Sequence, residues 1–238
     1  MKKAIYKLMG CFIALLAVTL TACEDETSQD ISTITYYITF ELEGDETMYL
    51  PVGTAYVEPG FTAMEGDQDV TSSVVTSGSV DGNTVGLYTI TYSAVNQDGF
   101  SSSTSRTVIV YDPTVTTDIS GTYKAADGCY RYWIEDASVS AFSGFTVTLT
   151  QLAPGFYTIS DYMGGYYDQG VGYGAAYAMT GYLKQNADNT LEAVSGTVAG
   201  WGDSYDSFDN GVYDPATGTI SYELAYAQSM IFYITLTK

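Results

Sequence analysis

The chain has no histidine, and that single absence excludes Ser-His-Asp triads, Cys-His dyads and imidazole-ligated zinc sites. Basic residues are almost as scarce, with eight Lys and Arg against 28 Asp and Glu in 238 residues. Three of the eight, Lys2, Lys3 and Lys7, precede Cys23, so five remain against all 28 acids beyond it, a formal charge of −23. A field of that sign repels nucleic acid and anionic headgroups and keeps a protein soluble in water. Cysteine is limited to Cys11, Cys23 and Cys129, too few for a disulfide framework, so stability must come from a hydrophobic core. Cys129 is expected as a buried small hydrophobe. Apolar runs are short. The longest near the N-terminus, Leu8 to Leu20, holds 13 residues, whereas a bilayer core takes about 20.

What is present begins with that run. Lys2, Lys3 and Lys7, the apolar stretch, and then Leu20-Thr21-Ala22-Cys23 have the layout of a secretory signal cut before a cysteine. This resembles the lipobox of bacterial lipoproteins, which implies removal of residues 1–22 and acylation of the Cys23 thiol and amine. Several acyl chains, at about 0.8 kcal/mol per buried methylene, hold a protein on a membrane. Residues 23–33, with Glu24, Asp25, Glu26 and Asp30, have no apolar periodicity and are expected as a flexible acidic tether. An acidic cluster after the lipidated cysteine resembles the surface-export signal of Bacteroidetes-type lipoproteins, which implies an outer-membrane, cell-surface location.

The fold class expected is all-β. Aromatic residues make up 14% of the chain, and 23 Tyr against 9 Phe and 2 Trp suit pleated surfaces that are half buried and half wet. Over residues 34–112, Tyr88, Ile90 and Tyr92 alternate with Thr89 and Thr91, while Pro59-Gly60, Asp81-Gly82 and Asp98-Gly99 mark turns. An antiparallel sandwich of about seven strands follows. The strings from Tyr56 to Phe61, Gly86 to Tyr92 and Arg106 to Val110 resemble the immunoglobulin-like domains of bacterial surface proteins, which implies a spacer. Residues 113–118, around Pro113, have the composition of a linker.

Residues 119–238 carry strand signals at Cys129 to Ile134, Phe145 to Thr150, Phe156 to Ser160, Tyr177 to Lys184, Leu191 to Val198, Thr219 to Leu224 and Met230 to Thr237. With no helical stretch between them, an antiparallel up-and-down β-barrel or a sandwich of similar connectivity is expected.

Two segments concentrate chemistry. In the stretch from Asp161 to Gly174, glycines alternate with Tyr162, Tyr166, Tyr167 and Tyr173 beside Asp161 and Asp168; the stretch from Trp201 to Gly211 has Asp203 and Tyr205 in the same style. Aromatic faces beside carboxylates suit a sugar ring, whose axial hydrogens stack while its hydroxyls take the hydrogen bonds. Candidate ligand contacts are therefore Trp133, Tyr162, Tyr166, Tyr167, Asp168, Trp201, Asp203 and Tyr205. The same rings equally suit the interior of a barrel, with Trp133 as its floor. Asp203, Asp206, Asp209, Asn210 and Asp214 invite a calcium reading, but counting from Asp206 puts Phe208 third and Thr217 twelfth, which fails the EF-hand pattern. No metal, cofactor or catalytic residue is assigned, since nothing selects a pair from so many carboxylates.

Lipobox, acidic tether, immunoglobulin-like spacer and tyrosine-rich β-domain together resemble the accessory surface lipoproteins of outer-membrane glycan-import systems. That resemblance implies a non-catalytic protein that binds a glycan for a neighbouring transporter complex, with the membrane reached through Cys23. The alternative class is a structural or protein-interaction subunit of an outer-membrane complex, or an adhesin, docking through a strand edge.

Overall fold

The computed structural model describes residues 34–238. The expectations for residues 1–22, for Cys23 and for the acidic tether to residue 33 lie outside the described residues. The regular structure of the described chain is almost wholly strand, and no helix in it is long and apolar enough to cross a membrane.

The N-terminal part is a two-sheet sandwich. One sheet has the order β1 (Ile38–Leu42), β3 (Phe61–Glu65), β4 (Gln68–Asp69); the other has β2 (Thr47–Pro51), β7 (Ser101–Tyr111), β6 (Gly86–Val95), β5 (Val75–Ser77). The long β6–β7 hairpin forms where the period-two pattern is strongest, and Gly99 closes its turn at φ 88°. One expectation fails: β2 and β7 run parallel, so the sandwich is not purely antiparallel. Arg106, fully buried on β7, ties the sandwich together. Its guanidinium donates to the backbone carbonyls of Asp45, Glu43 and Gly60 and pairs with Glu58 at 3.3 Å.

The C-terminal part is a single branched sheet. β11 (Thr146–Ala153), β12 (Phe156–Ile159), β13 (Met179–Gln185) and β14 (Leu191–Val198) form a meander, as do β15 (Tyr205–Asp214), β16 (Thr219–Tyr226) and β17 (Met230–Thr237). β8 (Gly121–Ala125) joins the two, pairing β11 on one side and Leu236–Thr237 of β17 on the other. The hairpin of β9 (Cys129–Trp133) and β10 (Val139–Phe142) occupies the remaining half of the β17 edge through Met230–Tyr233.

There is no closed barrel. β14 and β15 meet only at two isolated bridges, Thr190 to Val212 and Val198 to Asp203. Tyr205 lies along that seam, where its hydroxyl donates to the carbonyl of Ala193 at 3.2 Å. Inside, alternation along β16 and β17 buries Tyr222, Leu224, Tyr226, Met230, Phe232, Ile234 and Leu236 against Val147, Leu149 and Ile159. Burial of each large side chain contributes roughly 1.5–3 kcal/mol. Cys129 is buried there as expected, and burial pushes its thiol up from its ordinary range.

A smaller apolar cluster joins the two parts. Ile109 on β7 packs with Ala153 and Phe156, flanked by Leu87, Tyr111 and Tyr182. The connecting segment is packed as well, since Val115 and Ile119 are buried.

Candidate functional site

The Asp161–Gly174 segment enters the C-terminal core. Asp161 is 1% exposed, and its carboxylate accepts three backbone N–H groups, those of Met163 (2.8 Å), Met179 (3.0 Å) and Gly165 (2.9 Å). Burial outweighs these bonds and pushes its pKa up to about 6, with like charge from Asp168 adding to the shift. The turn needs glycine: Gly165 has φ 83°, and a Cβ there would lie 2.4 Å from the Phe145 Cβ. A π-helical turn at Tyr166–Gly170 follows, in which only Tyr167 is buried, and the chain returns to the surface from Gln169 to Tyr173.

This arrangement divides the sequence candidates. Tyr162 is withdrawn from any ligand: it is fully buried, donates to the carbonyl of Tyr182 at 2.6 Å and packs edge-on against Tyr222 and Phe208. The reason is that Asp161 caps the turn from inside and carries the following residues inward. Tyr205 belongs to the seam described above and is half-buried. Trp133 and Tyr166 are half-buried around Arg131, whose guanidinium lies 5.2 Å from one ring and 4.9 Å from the other. Asp168 sits half-buried in the π-helical turn, its backbone carbonyl accepting from Gly174.

Trp201 is different. It is 42% exposed at the tip of the β14–β15 connection, where Gly202 donates to the Val198 carbonyl at 2.7 Å and takes φ 74°. Its neighbour Gly200 permits a close approach, since a Cβ there would lie 2.8 Å from the Tyr177 ring. Around Trp201 stand Tyr167 (4.9 Å, perpendicular), Tyr177 (5.0 Å), Tyr226 (6.1 Å) and Tyr173 (6.3 Å, perpendicular). Tyr173, Tyr177 and Trp201 line an open cavity of about 460 Å³, a size ordinary for small-molecule sites, which span about 300–1,000 Å³. Tyr173 is 54% exposed and Trp201 shares that openness, while Tyr167 is buried beneath as a floor.

A carboxylate is tied to one of these rings. Asp203, two residues past Trp201, is exposed, and the buried Tyr226 hydroxyl donates to both its oxygens at 2.8 Å. Burial and this bond raise the Tyr226 pKa, so the phenol remains a donor. Of the sequence candidates, then, Trp201, Tyr167 and Asp203 come together, while Trp133 and Tyr166 form a separate aromatic group around Arg131. Tyr173, Tyr177 and Tyr226 are missed, although the glycines flanking Trp201 and Tyr173 are the signal that marks rings presented on tight turns. The aspartates considered for calcium disperse: Asp206 accepts from the Gln228 N–H, Asp209 from Ser207, and Asp214 caps its own turn. No group of three or more such ligands occurs among the described residues.

A wider hollow of about 500 Å³ lies over β11–β14, lined by Thr148, Thr150, Thr158, Thr180, Ser195 and Thr197 with Tyr182. It has hydroxyls but no cluster of exposed rings, and threonine is the ordinary occupant of a pleated outer face.

Comparison with known proteins places this architecture. The family of bacterial surface protein Ig-like domains matches residues 40–110, and a family model of a C-terminal domain matches residues 112–238. Together they define an all-β bacterial surface protein with an immunoglobulin-like module ahead of its C-terminal domain. The lipoprotein BT2262 from Bacteroides thetaiotaomicron is 45% identical over 85% of this chain and 100% of its own, with a TM-score of 0.49. The chain belongs to the same family as that lipoprotein. Clostridium perfringens ZmpB, in a structure of its CBM51-2 domain in complex with GlcNAc and INT domains, matches at 22% identity over 51% of this chain and 29% of its own, with a TM-score of 0.27. At that level it carries no argument about this site. No curated protein matches the chain.

Proposed function

We propose that the chain is a non-catalytic lipoprotein of the outer membrane, anchored through acylated Cys23 and displayed on the cell surface, whose C-terminal domain binds a glycan at the Trp201 notch. Residues 1–22 act as the signal, 23–33 as the tether, 34–112 as the spacer and 113–118 as the linker. The anchor reading is supported by Lys2, Lys3, Lys7 and the Leu20–Cys23 motif, and by membership in a lipoprotein's family.

The glycan reading rests on one observation: Trp201, Tyr173 and Tyr177 border one open cavity beside a carboxylate oriented by Tyr226. A sugar ring stacks its C–H face on an indole or phenol and gives its hydroxyls to Asp203. Neutral sugars fit better than acidic ones, because the formal charge beyond Cys23 is −23 and Asp203 is itself an anion. On this reading the protein presents captured oligosaccharide to a neighbouring outer-membrane transporter. Affinity electrophoresis through gels carrying amylopectin, galactomannan, xyloglucan or arabinoxylan tests it. Retardation by at least one polymer that Trp201→Ala weakens is expected; free migration in every gel overturns it.

A further inference from the structure

A further aromatic pair stands on the C-terminal sheet. Tyr130 on β9 and Tyr233 on β17 are directly paired across the strands, and their rings stack with centroids 4.5 Å apart at 17°. Both are half-buried and border an open cavity. On the next strand Glu223 follows Tyr233 in register, and Asp209 of β15 follows Glu223.

Here β15 bulges between Asp209 and Val212, and the bulge places Asn210 at φ 55°. Left-handed backbone at a residue with a side chain is uncommon, and it aims the Asn210 amide at Glu223, donating to Oε1 at 2.9 Å. Among the described residues Glu223 Oε2 has no donor, so one carboxylate oxygen and the Asn210 carbonyl oxygen stay available. Tyr130, Tyr233, Asn210, Glu223, Ser221 and Thr235 border one open cavity of about 290 Å³. Gly128 also lines it, and no atom lies within 4 Å of where its Cβ would be, so that flank stays clear.

From this juxtaposition we infer a second carbohydrate-binding site on the β9–β17–β16 wall, taking one neutral hexose unit of a polysaccharide. The inference rests on the reading of the protein as a glycan binder and adds to it a site remote in sequence from Trp201. A cavity near the lower bound for ligand sites admits one ring, not an extended chain. The tyrosine pair supplies the stacking face, Glu223 and Asn210 take hydroxyl donors, and Ser221 and Thr235 add hydroxyls of either sense. Two sites on one domain raise the retention of a polymer by about 10²–10⁴ over either alone where both can be reached at once.

The test uses the full chain in detergent and the same four polysaccharide gels. Trp201→Ala is expected to leave partial retardation, and adding Tyr130→Ala with Tyr233→Ala is expected to abolish it. Glu223→Gln keeps the stacked pair and the fold; in the Trp201→Ala background it should weaken binding about tenfold with an unchanged melting temperature. If Trp201→Ala alone abolishes retardation and the tyrosine and Glu223 variants migrate as wild type, the wall site is refuted while the Trp201 notch stands. If the tyrosine variants abolish retardation and Trp201→Ala has no effect, the notch falls and the wall site stands. Unretarded wild type refutes both.

Discussion

Asp161 accepts the backbone N–H of Met179 at 3.0 Å, and this bond joins the start of the inserted segment to the strand that follows it. Between these two residues lie Tyr167, Tyr173 and Tyr177, so the Asp161 carboxylate fixes both ends of the loop that builds the notch. Its folded pKa of about 6 exceeds the ordinary 3.8. Between those values the folded state binds more protons than the unfolded one, so this contribution to stability is complete below 3.8 and is lost as pH rises through 6. The loss amounts to about 3 kcal/mol at neutral pH. Asp161→Asn removes the titration and one of the acceptors. Urea unfolding of both proteins from pH 4 to 7.5 should therefore show the difference, wild type minus variant, falling across that window. Parallel curves would contradict the assignment.

The Tyr226–Asp203 hydrogen bond predicts a separable effect on binding. Tyr226→Phe keeps the buried ring beside Trp201 and removes the only phenol donor to Asp203 among the described residues. Affinity for a retarding polysaccharide should fall about fivefold to tenfold, equivalent to about 1–1.4 kcal/mol, since the phenol orients Asp203 and does not itself touch the sugar. Asp203→Ala should weaken binding at least as much. That variant also strips the buried Tyr226 hydroxyl of its acceptor, so its melting temperature should fall, whereas that of Tyr226→Phe should move less. Undiminished affinity in both variants would remove Asp203 from the site.

The sheet is far more legible in the sequence than the site. β17 can be read directly because Met230, Phe232, Ile234 and Leu236 alternate with Ile231, Tyr233, Thr235 and Thr237, and the burial follows that period. β15 cannot, because Asp206, Asp209, Asn210 and Gly211 look like loop chemistry; the strand tolerates them only through two register shifts. β8 and β10 are missed because GTYKA and VSAF hold fewer β-branched and aromatic residues than the equally short β9 and β12, CYRYW and FYTI, which are read correctly. The Tyr/Gly segment is conspicuous in composition, yet its direction depends on Asp161 reaching backbone 18 residues away, a contact no local pattern encodes. Sequence reasoning thus names Trp201, which the fold presents on an open cavity, but selects Tyr162, which is buried, over Tyr173 and Tyr177, which line that cavity.

In the N-terminal sandwich, Glu58 links Arg106 to two phenols. Tyr56 and Tyr92 each donate to its Oε2 at 2.5 Å, while Arg106 pairs with Oε1. Burial opposes ionisation of Glu58, but the phenols, the Gly60 N–H and Arg106 together hold its pKa below the ordinary 4.5. The sign is opposite to that of Asp161: this contribution is present above the unfolded pKa and is lost as pH falls through the folded one. Glu58→Ala leaves a fully buried guanidinium without its counter-charge and should cost about 3 kcal/mol. Chemical denaturation at pH 7 measures it, and a cost under 1 kcal/mol would show that the three carbonyl acceptors suffice alone.

The Ile109–Phe156 cluster predicts how the two parts unfold. Phe156 is fully exposed to neither solvent nor its own sheet's main core; it is 0% exposed, stacks on Tyr182 at 5.7 Å and packs against Ile109 of the sandwich. Phe156→Ala should cost about 3–5 kcal/mol, the usual range for opening a cavity of this size. If the cluster couples the parts, calorimetry of the wild type gives one cooperative transition, and Ile109→Ala with Phe156→Ala splits it in two. The proposed spacer role needs that coupling, and the burial of Val115 and Ile119 in the connection favours it. Two resolved transitions already in the wild type would show that the parts unfold independently and that the cluster is mere contact.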